Sequence, residues 1–207
     1  MIITARSDRK VQPLSINENA IIKQVNEIKL LGVTTDRHLT FTKHVENCRR
    51  KGNQRIFWLR TLKKHGGRDT GLIQLYQSNI RSLFEYASPA WYSHTSKSLR
   101  SIIERVEKCA LKVIFADLSY NEALKKCGMP PILTHLEGLG QRYFLGMRKS
   151  CHPLHHLIPA KNEDTSGRKT RTGHHLRVPQ HRSALRSKCF IVTVSKELNS
   201  MAEMQTA

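Results

Sequence analysis

The stretch Glu27-Ile28-Lys29-Leu30-Leu31-Gly32-Val33-Thr34-Thr35-Asp36, continued by Arg37-His38-Leu39-Thr40-Phe41, separates two patterns of apolar residues. Before it they come in short β-like runs: Val11, Leu14 and Ile16, then Ile21 to Val25, with Asn17-Glu18-Asn19 as the polar turn of a hairpin. Ile28 to Val33 is a third such run. After Phe41 the period changes to three or four residues and stays there for most of the chain. Two or three strands do not make a stable sheet alone, so the N-terminal region must lean on helices or on a part of the protein outside this sequence.

Phe41, Val45, Cys48, Gly52, Ile56, Leu59 and Leu62 form one small or apolar helical face ending at Lys64, with His65-Gly66-Gly67 as its stop. Asp69-Thr70 caps a second helix with core face Leu72, Tyr76, Ile80, Leu83 and Ala87, ended or kinked by Ser88-Pro89. Thr95-Ser96 caps a third, facing inward with Leu99, Ile102, Ile103, Val106, Ala110, Val113 and Ile114. Tyr120 to Cys127 is a fourth, closed by Gly128, and Leu133, Leu136, Leu139, Tyr143 and Met147 mark a fifth. The expected fold is therefore mainly α. A small N-terminal β-hairpin or three-stranded sheet (1–40) precedes a five-helix bundle (41–157) and a basic, poorly ordered tail (158–207). Cys189 to Leu198 is expected to form a last short helix or strand; Asn162 to Lys188 has almost nothing to bury.

The 207 residues carry 35 Lys and Arg against 16 Asp and Glu, a formal charge of +19. Such an excess repels itself in a compact state, and a polyanion is its natural counterweight, nucleic acid before an anionic membrane surface. No run approaches the ~18 apolar residues of a membrane span. The start, Met1 to Arg6, does not read as a signal peptide. The five cysteines are scattered, with no C-x-x-C, and read as reduced, mostly buried thiols of an intracellular protein, nuclear or cytoplasmic.

The first helix carries the sharpest charge signal. Lys43, Arg49, Arg50, Lys51, Arg55, Arg60, Lys63 and Lys64 stand against Glu46 alone, so Thr42 to Lys64 is +7 by count (eight minus one). Lys51, Arg55 and the Arg60, Lys63, Lys64 group sit off the apolar face and could follow phosphates, with Phe57 and Trp58 among them as stacking or sugar contacts. A merely solvated face would mix both signs, and this one does not. The histidine-rich pairs Cys151-His152, His155-His156 and His174-His175 read as structural, since zinc needs two short-spaced ligand pairs and the second is missing. Two-metal nucleotidyl transfer needs clustered carboxylates; Asp8, Asp36, Asp69 and Asp117 are isolated, and Asp164 has only Glu163 beside it. No G-x-S-x-G, P-loop or H-E-x-x-H is present.

Segments along nearly the whole chain, in order, resemble the C-terminal part of non-LTR (LINE-type) retrotransposon reverse transcriptases. Leu30-Leu31-Gly32-Val33-Thr34-Thr35-Asp36-Arg37-His38-Leu39-Thr40-Phe41, then His44, resembles K-Y-L-G-V-x-L-D-x-x-L-x-W-x-x-H. Ile80 to Trp91 looks like I-R-S-x-L-E-Y-G-x-P-x-W, and Leu99 to Ile114 is similar to the L-E-x-x-Q-x-x-A-L-x-x-I helix. Tyr120 to Pro131 resembles a Y-x-E-x-L-x-x-L-G-x-P block, and His152-Pro153-Leu154 and Val178 to Asn199 have counterparts near the end of such elements. Leu30, Phe41 and Ala87 depart from the family's aromatic, Trp and Gly.

What the resemblance implies is a primer-grip hairpin, with Leu31, Gly32 and Val33 as its site residues, joined to thumb helices and a basic region. It implies a catalytically incomplete fragment of an RNA-directed DNA polymerase, lacking the A-D-D aspartates, the fingers, most of the palm and the endonuclease. The nucleic-acid-binding residues expected are those three with Lys43, Arg49, Arg50, Lys51, Arg55, Trp58, Arg60, Lys63 and Lys64. The expected partners are RNA, an RNA–DNA hybrid or duplex DNA, and an upstream palm and fingers segment, with no membrane. No cofactor is expected in this chain; the missing palm would use a divalent metal, Mg2+. Two other readings are a helical remnant that docks onto other proteins without a nucleic-acid role, and a thumb supplied to a palm carried elsewhere.

Overall fold

The computed structural model describes residues 14–17, 20–22, 25–166 and 172–206. It is mainly helical, with antiparallel strands preceding the helices. The strands are β1 (Leu14–Asn17), β2 (Ala20–Ile22), β3 (Glu27–Leu30) and β4 (Val33–Asp36). The helices are α1 (Thr42–Lys64), α2 (Asp69–Leu75), a π-helical segment (Tyr76–Arg81), α3 (Ser82–Glu85), α4 (Ser88–Trp91) and α5 (Lys97–Ile114). They continue with α6 (Tyr120–Cys127), α7 (Ile132–Met147), α8 (Asn162–Ser166), α9 (Ala184–Ser187) and α10 (Phe190–Thr206). Residues 1–87 with 95–132 form one compact unit and residues 88–94 with 133–207 a second. These units follow neither the 1–40, 41–157 nor the 158–207 range.

In the first unit the strands make two hairpins rather than one sheet: β1 pairs with β2 and β3 with β4. Residues 18, 19, 23 and 24 of the expected turn and strand, and Val11, lie outside the described residues. Ile28 to Val33 is not one strand. Leu31 (φ 46) and Gly32 (φ 85) both take left-handed backbone, and Leu30 pairs with Val33. Two such residues in a row make the tight turn whose twist suits a hairpin. Beyond β4, Asp36 organises the approach to α1. Its carboxylate accepts the amides of Phe41 (2.8 Å) and His38 (3.2 Å), and its carbonyl accepts that of Leu39 (3.0 Å). Those bonds hold Leu39 (φ 52) and Phe41 (φ 55) in left-handed backbone and bury the Phe41 ring against the start of α1.

α1 buries Val45, Cys48, Gly52, Ile56 and Leu59 as its spacing predicts, mainly against α5. Leu62 is the exception, at 48% exposure. Asp69 is not a cap: Arg68 holds that position, and Asp69 instead pairs with Lys63 (2.8 Å). In the next helix Leu72, Tyr76 and Ile80 are buried as expected, but Phe84 replaces Leu83 in the core. The cause is the π-helical register of Tyr76–Arg81, which delays the inward face by a residue. The helix breaks at Tyr86-Ala87, where Ala87 has φ 52, one residue before Ser88-Pro89. Ser96 caps α5 by accepting the amide of Leu99 (3.3 Å). α6 has the expected bounds, with a Ser119–Glu122 capping box and Gly128 (φ 64) as its stop.

At the centre of this unit lies Glu107, fully buried on α5. One carboxylate oxygen accepts from Tyr76 Oη (2.8 Å) and Arg81 Nη1 (3.2 Å). The other accepts from Tyr120 Oη (2.6 Å) and the amide of Ile132 (2.9 Å). Arg81 also donates to the Pro130 carbonyl (2.9 Å) and pairs with Glu85 (3.2 Å). A buried ion pair is tolerable only when its remaining polar valences are filled, and here they are. Burial, and then the charge of Glu107, pushes the Tyr76 phenol far up; burial with the Glu107 hydrogen bond does the same to Tyr120.

In the second unit α7 buries Leu136, Gly140, Phe144 and Met147, a face offset by about one residue from the expected Leu133, Leu139 and Tyr143. Phe190 of α10 packs at a tilt against Tyr143 (5.9 Å) and Phe144 (6.4 Å), with Gly140 beside its ring. The described part of the tail is more regular than expected. α10 runs 17 residues and buries Val192 and Val194, and Asn199 exchanges two 2.9 Å hydrogen bonds with the backbone of Leu176. Residues 167–171 lie outside the described residues.

Candidate nucleic-acid interface

The β3–β4 hairpin, α1 and the π-helical segment enclose a cleft of about 540 Å³ in the first unit. Lys29 and Gly32 line it from the hairpin, Arg50, Lys51 and Arg55 from α1, and Ser78, Asn79 and Ser82 from the opposite wall. Among the described residues that line it none is acidic, and Arg50 and Lys51 have no ion-pair partner there. Arg55 donates to the Asn79 carbonyl, which ties α1 to the π-helical wall. Arg81, in that same segment, is the cation held by Glu107, so the buried network fixes one side of the cleft.

The hairpin tip is anchored as well. Tyr86, also in the lining, donates to the Leu31 carbonyl at 2.7 Å. The floor holds His44 and Cys48, whose Nε2 and Sγ are 3.8 Å apart. Burial, and after it the charge of Lys51, holds the His44 pKa below the usual histidine value, so the ring is neutral and its Nδ1 accepts the Thr34 amide (3.4 Å). Burial pushes the Cys48 thiol up to about 11 against the opposing pull of Lys51 and Arg55. A thiol at that value is protonated near neutrality and is no nucleophile. The cleft offers cations, hydroxyls and amides: equipment for holding an anion.

Of the expected site residues the cleft brings together Gly32, Arg50, Lys51 and Arg55. Leu31 is the exposed tip of the hairpin at 83%, and Val33 is buried in the core, where it packs. Arg49 is engaged with Glu46 and Lys63 with Asp69, so their charges are partly answered. Lys43 is exposed outside the cleft. At about 100° per residue, Arg60 falls roughly half a turn around α1 from Lys51, and Lys64 not far from Arg60, so these cations do not extend the Lys51–Arg55 line. Trp58 does extend it, outside the cleft. Sequence reasoning passed over Lys29, Asn47, Ser78, Asn79, Ser82 and Tyr86; the run of small polar residues opposite a basic helix was the available signal.

Two of the paired histidines bond nearby backbone. His155 Nδ1 donates to the Met147 carbonyl (3.2 Å) and His156 Nδ1 to that of Pro153 (3.0 Å). Among the described residues no three His, Cys, Asp or Glu side chains come together in a way that could hold a metal ion. No helix among them is long and apolar enough to cross a membrane. Comparison with family models, with curated proteins and with solved structures gives no match for this chain.

Proposed function

We propose that the first unit is a sequence-independent nucleic-acid-binding module of the kind that primer grip and thumb form in LINE-type reverse transcriptases. It binds RNA, an RNA–DNA hybrid or duplex DNA through the phosphate backbone. The observation that carries this reading is the cleft itself: the hairpin turn at Gly32 and the cations Lys29, Arg50, Lys51 and Arg55 share one concave surface without an acidic lining residue among those described. Phosphate contacts of this type position a strand without reading bases, which is what a surface that slides along a primer–template requires. On this reading catalysis is supplied by a palm and fingers segment working with this module.

The test is salt-dependent binding of the purified chain to an RNA–DNA hybrid. Each phosphate engaged contributes about 0.9 to the slope of log affinity against log salt. A slope of several is expected, and Lys51→Ala with Arg55→Ala should lower it by about 2. No binding at about 50 mM salt, or binding indifferent to salt, overturns the proposal. Unchanged affinity in Lys51→Glu with Arg55→Glu would favour a protein-docking remnant.

A further inference from the structure

Just past the cleft, α1 exposes two adjacent aromatic side chains. Phe57 is 61% exposed and Trp58 64%, with ring centroids 6.1 Å apart in an edge-to-face arrangement. Elsewhere the helix keeps its large apolar residues inside, apart from Leu62 one turn beyond Trp58. The aromatics are interleaved with charge at helical spacing. Trp58 lies on the stripe of Lys51, seven residues earlier, and Arg55, three earlier, which are the two α1 cations nearest it in the cleft. Phe57 has Arg50 seven residues before it and Lys64 seven after, each roughly two turns, or about 10 Å, away. Cations on both sides of flat apolar faces disfavour an apolar protein surface, which would have to bury those charges. They suit a polyanion that also carries flat apolar groups.

Nucleic acid fits that description only where its bases are unstacked. Within a duplex the base faces cover one another; in a single strand they are free to lie on an aromatic ring, whatever the base. We infer that Phe57 and Trp58 form a stacking platform for unpaired nucleobases, so that the ligand includes a single-stranded segment whose backbone Arg55 and Lys51 lead into the cleft. This rests on the nucleic-acid reading above and adds the strandedness of the ligand.

The two tryptophans make the test direct, because Trp91 is fully buried while Trp58 is not, so acrylamide quenching reports on Trp58. Three probes are compared with the full chain: a single strand of about 12 nucleotides, the same strand with abasic positions, and a blunt duplex. The base-containing strand is expected to shield Trp58 from acrylamide. Trp58→Ala should weaken its binding by roughly 5- to 100-fold, the range of one or more stacked bases, and change blunt-duplex binding by less than about twofold. Trp58→Phe should restore part of the loss, and the abasic strand should bind weakly to both wild type and Trp58→Ala. If the abasic strand binds as tightly as the normal one, or Trp58→Ala weakens strand and duplex alike, the platform is refuted while backbone binding stands. If none of the probes binds, both readings fall together. If wild type sediments as a dimer and Trp58→Ala as a monomer, the aromatics serve a second copy and the inference is overturned.

Discussion

The phenolic hydroxyl of Tyr86 donates to the carbonyl oxygen of Leu31 at 2.7 Å, and the edge of its ring stands 3.3 Å from where a Cβ on Gly32 would lie. One side chain thus pins the hairpin tip and fills the space that only glycine leaves. Gly32→Ala meets both the left-handed backbone and the ring, and is expected to lose about 1–2 kcal/mol of stability in urea unfolding. Tyr86→Phe removes only the hydrogen bond and should lose about 0.5–1 kcal/mol. A Gly32→Ala variant as stable as wild type would contradict this account of the turn.

Ala87 presents the opposite case. Its φ of 52 places a residue with a Cβ where glycine is at ease. Left-handed backbone costs a non-glycine residue about 1–2 kcal/mol, and glycine's extra chain entropy returns about half of that. Ala87→Gly should therefore raise stability by about 0.5 kcal/mol, an unusual sign for adding a glycine beside a helix. A lower unfolding midpoint would rule it out.

Glu107→Ala removes one of the acceptors of Arg81 and takes from Tyr76, Tyr120 and the Ile132 amide the carboxylate they donate to. Breaking one side of a buried pair costs about 3–5 kcal/mol, and Arg81→Met with Glu107→Leu should lose markedly less than Glu107→Ala alone. The network also sets an alkaline limit. Tyr76 and Tyr120 have their phenol pKa raised, by burial first and Glu107 next, so their contribution is complete below the unfolded value near 10 and declines as pH rises above it. Thermal melts that are flat from pH 9 to about 12 would refute it.

His44 sets an acid limit. Its pKa is lowered by burial and then by Lys51, and its Nδ1 lone pair accepts the Thr34 amide. A depressed histidine binds fewer protons folded than unfolded, so its contribution is present above about 6.5 and is lost as pH falls below that. Stability should drop between pH 7 and pH 5, and His44→Ala should flatten part of that slope. His94, lowered by burial and Lys188, accounts for another part. An unchanged slope in His44→Ala would show that the Thr34 contact does not matter.

Helix positions were legible in the sequence wherever a local signal was complete. Ser96 capped α5, and Gly128 closed α6, because caps are chemistry of a few adjacent residues. The β3–β4 turn was hidden because Leu31-Gly32 lacks the Asn or Asp that usually marks such turns, so one apolar run read as one strand. Phe84 and the α7 face were missed by about one residue. In the first case a π-helical register intervened, and a 3.6-residue period cannot express it. Glu107 was invisible to any periodicity count, since an acid on a helix reads as surface until its partners from other segments are placed. The cleft was half legible: Gly32 and the α1 cations announced themselves, whereas its far wall is made of ordinary serines and an asparagine.

The Glu107 carboxylate bears on where this chain can be cut. Its donors come from the π-helical segment, from α6 and from the amide of Ile132, which is the last residue of the first unit. A piece ending at Gly128 would keep every helix that flanks the cleft yet lose the Pro130 carbonyl from Arg81 and the Ile132 amide from Glu107. A boundary that keeps the Glu107 network whole therefore lies no earlier than Ile132, a residue that takes no part in lining the cleft.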